Sequence, residues 1–183
     1  MKKGKFVIIS GPSGVGKDTI CDELFKKGMG RYSVSMTTRK KRSNEIEGIS
    51  YFFVSKEEFK RHIEEDYFLE YAMYNGNYYG TPNEFIKETT NNGDNVIAVL
   101  EMNGAINAKR IFSNAITIFI MPPSFDELER RLRGRKSEDD NIISERLNIA
   151  KEEIKCKDKY DYIVINNTVD EAVLEIENII NNC

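Results

Sequence analysis

The chain has 183 residues, enough for one domain with a full hydrophobic core, and its 27 lysines and arginines against 30 aspartates and glutamates leave a formal charge of −3. That balance and a mean hydropathy of −0.51 argue against a nucleic-acid binder and against a membrane-embedded protein. The three cysteines, Cys21, Cys156 and Cys183, are far apart, and none lies in a Cys-x-x-Cys or beside the only histidine, His62, which speaks against a disulfide scaffold and a zinc site.

The basic start Met1-Lys2-Lys3-Gly4-Lys5 runs into the apolar stretch Phe6-Val7-Ile8-Ile9, too short for a signal peptide or a membrane span. A cytoplasmic location is expected. The stretch reads instead as a buried strand over 6–10, leading through Gly11-Pro12-Ser13-Gly14-Val15-Gly16-Lys17-Asp18 into a helix. Such a turn can hold the phosphates of a nucleotide. Gly11, Gly14 and Gly16 can adopt φ > 0 and let the backbone N–H groups approach anionic oxygens, while Lys17 can reach the β- and γ-phosphates. The template Gly-x4-Gly-Lys-Ser/Thr is met except at its last position, where Asp18 stands and Thr19 follows. A chance turn of glycines would explain neither the lysine nor the strand before it.

Further along, short apolar runs alternate with helical patterns, the signature of βαβ units around a mostly parallel sheet. Core strands are expected over 6–10, 32–35, 96–100, 116–121 and 162–165. Four hydroxyl-x-x-carboxylate capping boxes, Ser55 with Glu58, Thr81 with Glu84, Ser124 with Glu127 and Thr168 with Glu171, mark helix starts. Pro82 then suits a first helical position, and Pro122-Pro123 closes the strand before Ser124.

The stretch from about Ser35 to Tyr79 has a different texture. Aromatic pieces, Tyr51-Phe52-Phe53, Phe68-Leu69-Glu70-Tyr71 and Asn77-Tyr78-Tyr79, surround one polar helix and read as a small β-rich lobe inserted into the core. His62, among Lys60, Arg61, Glu64 and Glu65, reads as part of that helix's solvated face. From Ser124 to Lys157 the apolar density falls, which suggests a helical hairpin with a mobile tip, its second helix beginning near Asp139.

Two basic clusters interrupt the acidic average: Arg31, Arg39, Lys40, Lys41 and Arg42, and then Arg130 to Lys136. Charge runs are mostly solvated surface, but beside a phosphate loop they acquire a use. Phosphoryl transfer requires aligned phosphates and neutralisation of the charge on the transferred group, and arginine's planar fork suits phosphate oxygens. In the inserted lobe, Ser35, Thr37, Thr38, Tyr51, Glu70, Tyr79 and Thr81 could read a base. Equally, they could be half-buried strand residues, a helix cap and a strand-face charge.

The chain closely resembles guanylate kinases almost end to end. The likeness is carried by Gly11-Pro12-Ser13-Gly14-Val15-Gly16-Lys17; Ser33-Val34-Ser35-Met36-Thr37-Thr38-Arg39; Glu45-x-x-Gly48-x-x-Tyr51-Phe52-Phe53-Val54; Phe68-Leu69-Glu70-Tyr71; Gly76-Asn77-Tyr78-Tyr79-Gly80-Thr81; Phe119-Ile120-x-Pro122-Pro123-Ser124; and Arg131-Leu132, Arg135 and Arg146-Leu147. The resemblance implies an α/β fold: a P-loop parallel-sheet core flanked by helices (about 1–33, 91–123 and 158–183), a small β-rich GMP-binding lobe (about 34–90) and a helical lid (about 124–157). It also implies Mg²⁺-dependent phosphorylation of GMP, and of dGMP, by ATP.

By the same resemblance, ATP is held by Gly11 to Thr19 and by Asn166 at the adenine. GMP is held by Ser35, Arg39, Arg42, Tyr51, Glu70, Tyr79 and Thr81, with Glu101 contributing, and Lys17, Arg39, Arg135 and Arg146 surround the transferred phosphoryl group. Guanine fits the assignment, because its N1–H and N2–H donors suit a carboxylate, whereas adenine would set a lone pair against Glu70. Three departures stand out. Asp18 replaces a small or hydroxyl residue and is a candidate Mg²⁺ ligand or simply a helix-start carboxylate. Val99 and Glu101 stand where the family has two acids, and Lys136 and Asn167 replace glycine and aspartate. A kinase of another phosphorylated substrate, such as ribose 1,5-bisphosphate, would have no use for Glu70. Non-catalytic guanylate-kinase-like domains usually lack a working phosphate loop. Nucleotides are the expected partners, and oligomeric state is not legible in the residues.

Overall fold

The computed structural model describes residues 3–43, 45–74, 76–134 and 140–183. Alternation along the first strand, β1 (Phe6–Ser10), sets the architecture: Phe6 and Ile8 point into one apolar layer, Val7 and Ile9 into another, and all four are buried. A strand buried on both faces belongs in the middle of a parallel sheet covered by helices. It pairs in parallel with β7 (Val96–Val99) on one side and β8 (Ile116–Met121) on the other. The edges are β2 (Arg31–Tyr32) beside β7 and β9 (Tyr162–Ile165) beside β8, giving the order β2-β7-β1-β8-β9.

One layer packs Val7, Ile9, Ile97, Ile118, Ile120 and Val164 against α1 (Lys17–Lys26), α5 (Phe125–Gly134), α6 (Asp140–Ile154) and α7 (Val169–Asn182). The opposite layer packs Phe6, Ile8, Val96, Ala98 and Phe119 against α3 (Asn83–Asn91) and α4 (Met102–Ile111). Because β1 lies between the two directions in which the sheet grows, the crevice beyond its carboxyl end is where such folds bind ligands. The glycine-rich turn emerges there.

A second sheet of four strands, ordered β4-β3-β6-β5, is built from β3 (Met36–Thr37), β4 (Phe52–Phe53), β5 (Phe68–Tyr74) and β6 (Asn77–Pro82). Its own core is small. Phe59 of α2 (Lys56–Glu64) is completely buried, with its ring 4.3 Å from that of Phe68 and 5.3 Å from that of Tyr78. Truncating such a ring to alanine typically costs about 3–5 kcal/mol.

The expected strands over 6–10, 116–121 and 162–165 are observed as read. The strand expected over 32–35 is shorter, because after Ser33 donates to the Ile97 carbonyl the chain leaves for the second sheet at Met36. The strand expected over 96–100 ends at Val99, although Leu100 N–H still reaches the Ile9 carbonyl at 3.1 Å. Three capping boxes form, with Ser55, Ser124 and Thr168 accepting from the N–H groups of Glu58, Glu127 and Glu171. The fourth does not. Pro82 is the N-cap of α3, and Thr81 stays in β6, its hydroxyl drawn to Glu70 across the sheet. His62 also departs from expectation: its ring stacks on Tyr67 at 4.4 Å and its side chain is only 16% exposed. The helical hairpin is α5 and α6, and its expected tip lies outside the described residues.

Candidate active site

From Ser10 the chain turns through six residues into α1, and Gly11, Gly14 and Gly16 have φ of 145°, 85° and 99°. At Gly11 a Cβ would lie 2.4 Å from the Ile120 carbonyl oxygen, so only glycine lets the loop leave β1 against β8. Gly16 caps α1 in a left-handed conformation, which aims the N–H groups of the first helical turn into the loop. Lys17 curls back over this cradle, its ammonium donating to the carbonyls of Gly11 at 2.6 Å and Pro12 at 3.0 Å. Burial holds the Lys17 ammonium below its ordinary range, opposed by the charges of Glu153, Asp18 and Glu101. An anionic ligand would offset that burial.

Two supports of the loop come from distant parts of the chain. Asn166, just past β9, donates its side-chain amide to the Val15 carbonyl at 2.7 Å, and its Oδ1 is buried with no protein partner. Arg131 of α5 donates to the Asn166 carbonyl at 3.1 Å while Glu127 holds it from behind at 2.8 Å. Asn166 thus has its amide on the loop. It also lines a cavity of about 380 Å³ with Gly14, Gly16, Arg131 and Thr168, large enough to admit a planar base.

In the second sheet, Arg39, Tyr51 and Tyr79 meet. The Arg39 guanidinium lies 5.6 Å from the Tyr51 ring centroid, and the rings of Tyr51 and Tyr79 are 6.1 Å apart. Glu45 grips Arg39 through both carboxylate oxygens, at 2.6 Å and 3.0 Å, and accepts the Arg42 backbone N–H at 2.7 Å. These bonds, Arg39 first, pull the Glu45 carboxyl down to about 2. The sequence reading gave Glu45 no role, although it is the first acid after the basic run. The Arg42 side chain is exposed.

Glu70 lies on β5 opposite Thr81 of β6, and its Oε1 accepts the Thr81 hydroxyl at 2.8 Å. Thr81 in turn lies 3.4 Å from the Ser35 hydroxyl. Burial pushes the Glu70 carboxyl above its usual range, against the Thr81 hydrogen bond and with help from the Glu101 charge. Glu101, exposed at the N-cap of α4, acts through its charge on Lys17 as well. Sequence reading missed Glu153, whose Oε2 is buried with no partner among the described residues and whose charge acts on Lys17 more than any other.

The arginines of the α5–α6 hairpin are less gathered. Arg130 and Arg133 pair with acids of their own hairpin, Glu127 for the first and Glu129 and Asp140 for the second. Arg146 is half-buried on α6, and Arg135 and Lys136 lie outside the described residues. For a divalent ion, no three acidic, cysteine or histidine side chains gather among the described residues. The oxygens of Asp18 and Thr19, both exposed at the start of α1, are the nearby donors. Mg²⁺ fits that sparse set, since it takes one or two protein oxygens and the rest from phosphates and water.

A parallel sheet with a glycine-rich loop at its switch point, facing a second sheet that carries an arginine-tyrosine cluster and a half-buried carboxylate, defines the nucleoside monophosphate kinase class of P-loop fold. Comparison with known proteins is specific within that class. The guanylate kinase family model matches residues 3–183. The guanylate kinase of Halalkalibacterium halodurans is 45% identical over 180 residues, covering 98% of this chain and 88% of that one. That of Clostridium acetobutylicum is 48% identical over 179 residues, covering 98% and 86%. The crystal structure of guanylate kinase from Anaplasma phagocytophilum superposes with a TM-score of 0.78 at 32% identity, covering 99% of this chain and 86% of that one. The chain belongs to the guanylate kinase family.

Proposed function

We propose that the protein transfers the γ-phosphoryl group of ATP to GMP, and to dGMP, releasing ADP and GDP or dGDP. The observation that carries this reading is the chain-long match to guanylate kinases, and the loop lysine Lys17 and the half-buried carboxylate Glu70 support it. An oxygen of the acceptor's phosphate attacks the γ-phosphorus, the bond from that phosphorus to the β–γ bridging oxygen breaks, and the electron pair leaves on ADP.

Gly11 to Thr19 hold the triphosphate, and Lys17 moves from the carbonyls of Gly11 and Pro12 to the β- and γ-oxygens. Charge stabilisation of this kind contributes about 3–4 kcal/mol per donor to the transition state. Arg39, Arg42, Tyr51 and Tyr79 hold the monophosphate, with Glu45 keeping the Arg39 fork in plane. Glu70, Ser35, Thr81 and Glu101 face guanine. A site built to hydrogen-bond one base rejects another strongly, by factors that reach about 10⁴. Asn166 lies at the adenine. Arg135 and Arg146 approach the transferred group as the lid, about 124–157, closes together with the lobe, about 34–90, over the core; closure excludes water and so favours transfer over hydrolysis. Mg²⁺, held near Asp18 and Thr19 and by the phosphates, would neutralise charge on the β- and γ-oxygens. The setting is the cytoplasm and purine nucleotide metabolism; among the described residues no helix is long and apolar enough to cross a membrane.

A coupled ADP-release assay with GMP, dGMP, AMP, CMP, UMP, dTMP and ribose 1,5-bisphosphate tests this reading. Turnover confined to the guanine acceptors is expected. No turnover with GMP, or equal rates across the bases, overturns it.

A further inference from the structure

Gly104 is the third residue of α4, and it is buried. Its φ is not positive, so its backbone is ordinary helix that alanine would adopt with better propensity. A glycine there has to be explained by what surrounds it. What surrounds it is Glu70: a Cβ on residue 104 would lie 3.3 Å from Cγ of Glu70 and 3.4 Å from both its Cδ and its Oε2. The approach to Cγ is tighter than an ordinary carbon contact, and the other two lie at the near limit of van der Waals contact, so the Glu70 side chain would have to give by a few tenths of an ångström. The carboxylate is therefore seated between a bare α-carbon of the core on one side and the Thr81 hydroxyl of the second sheet on the other.

We propose that Gly104 is a positioning residue for base selection: its missing side chain sets the depth at which Glu70 presents its oxygens to the guanine. The inference rests on the reading of Glu70 as the base-recognising group. Since Oε1 is tethered to Thr81, a methyl group at residue 104 forces one of two adjustments. Either Oε2 swings away, or the Thr81 bond stretches as the side chain retreats. Both misplace an acceptor by a few tenths of an ångström where two donors of the base must be met together, and misplacement on that scale is costly in a preorganised site.

The test is Gly104→Ala, alone and combined with Glu70→Ala, with thermal unfolding and KM measured for both substrates. Gly104→Ala is expected to unfold no earlier than the parent, because helix propensity rises, and to raise KM for GMP about tenfold while KM for ATP stays within about twofold. In the Glu70→Ala background the same substitution is expected to add nothing to KM for GMP, since the group it displaces is gone. A folded Gly104→Ala with unchanged KM for GMP overturns the proposal, and so does an equal penalty with Glu70 removed. Should Gly104→Ala alone fail to fold, recovery of the fold in the double variant supports the contact as the cause, and failure to recover overturns it. A parent enzyme inactive on GMP would instead sink the assigned activity, so the two failures are separable.

Discussion

Asn166 gives its side-chain amide to the carbonyl of Val15, at 2.7 Å across 151 residues of sequence, and so ties the far end of the sheet to the crown of the phosphate loop. The bond is buried, and among the described residues the other donor to that carbonyl is Arg131 at a long 3.4 Å. Asn166→Ala leaves a buried acceptor poorly met, which costs about 1–3 kcal/mol. A lower unfolding temperature together with weaker ATP binding is expected. Calorimetric titration of ATP that returned the parent affinity would show that the loop keeps its shape without this tie.

In the proposed reaction, Lys17 is the cation that follows the γ-phosphoryl group as it moves. Lys17→Met keeps the length of the side chain and deletes the charge, so kcat should fall about 10²–10³-fold with the fold intact. Retained turnover in single-turnover measurements would show that another group carries the charge.

In the proposed function, Glu70 separates the two substrates. Glu70→Gln keeps the shape but turns one acceptor into a donor facing guanine's own donors, and kcat/KM for GMP is expected to fall by about 10²-fold or more while KM for ATP is unchanged. Because burial raises the Glu70 carboxyl, its ionised form is lost at a higher pH than for an ordinary glutamate. In the parent, kcat/KM for GMP should therefore carry an acid limb that the glutamine variant lacks. Identical acid limbs in the two proteins would remove Glu70 from base recognition.

Glu45 offers a test of stability against pH. Its carboxyl lies at about 2 in the folded protein against an ordinary value of 4.5, chiefly through the hydrogen bond from Arg39. A depressed carboxyl contributes stability that is complete above the unfolded value and disappears as pH falls toward the folded value. The parent should accordingly lose stability between about pH 4.5 and pH 2 more steeply than Glu45→Gln. Thermal unfolding across that window would reveal it, and parallel curves would mean that the pair contributes nothing.

Some of this architecture was written in short-range pattern. The unbroken apolar run Phe6 to Ile9 marked the first strand as buried, because a strand apolar on both faces must be covered on both. The spacing of Gly11, Gly14 and Gly16 specified a tight glycine turn, since positive φ at these positions is a local property of the backbone, and all three glycines have it. The same kind of pattern misled at Thr81. Its hydroxyl stands three residues before Glu84 like the other caps, but strand pairing offered it the Glu70 carboxylate instead. A local motif states what a side chain can do, and its competing partner exists only once the sheet has formed.

By itself, then, the order of residues determined the class of fold, the glycine-rich loop and the supply of acids and arginines in the second sheet and its loops, because these depend on periodicity, backbone freedom and charge. Folding in three dimensions decided which of those groups meet: Arg39 with Glu45 and Tyr51, Asn166 with Val15, Lys17 with the carbonyls of its own loop, and Glu70 with Thr81 and the bare α-carbon of Gly104. The reason is physical. A hydrogen bond or a close contact needs atoms within a few ångströms, and for residues on different elements that proximity is set by sheet order and helix packing, which no single segment contains.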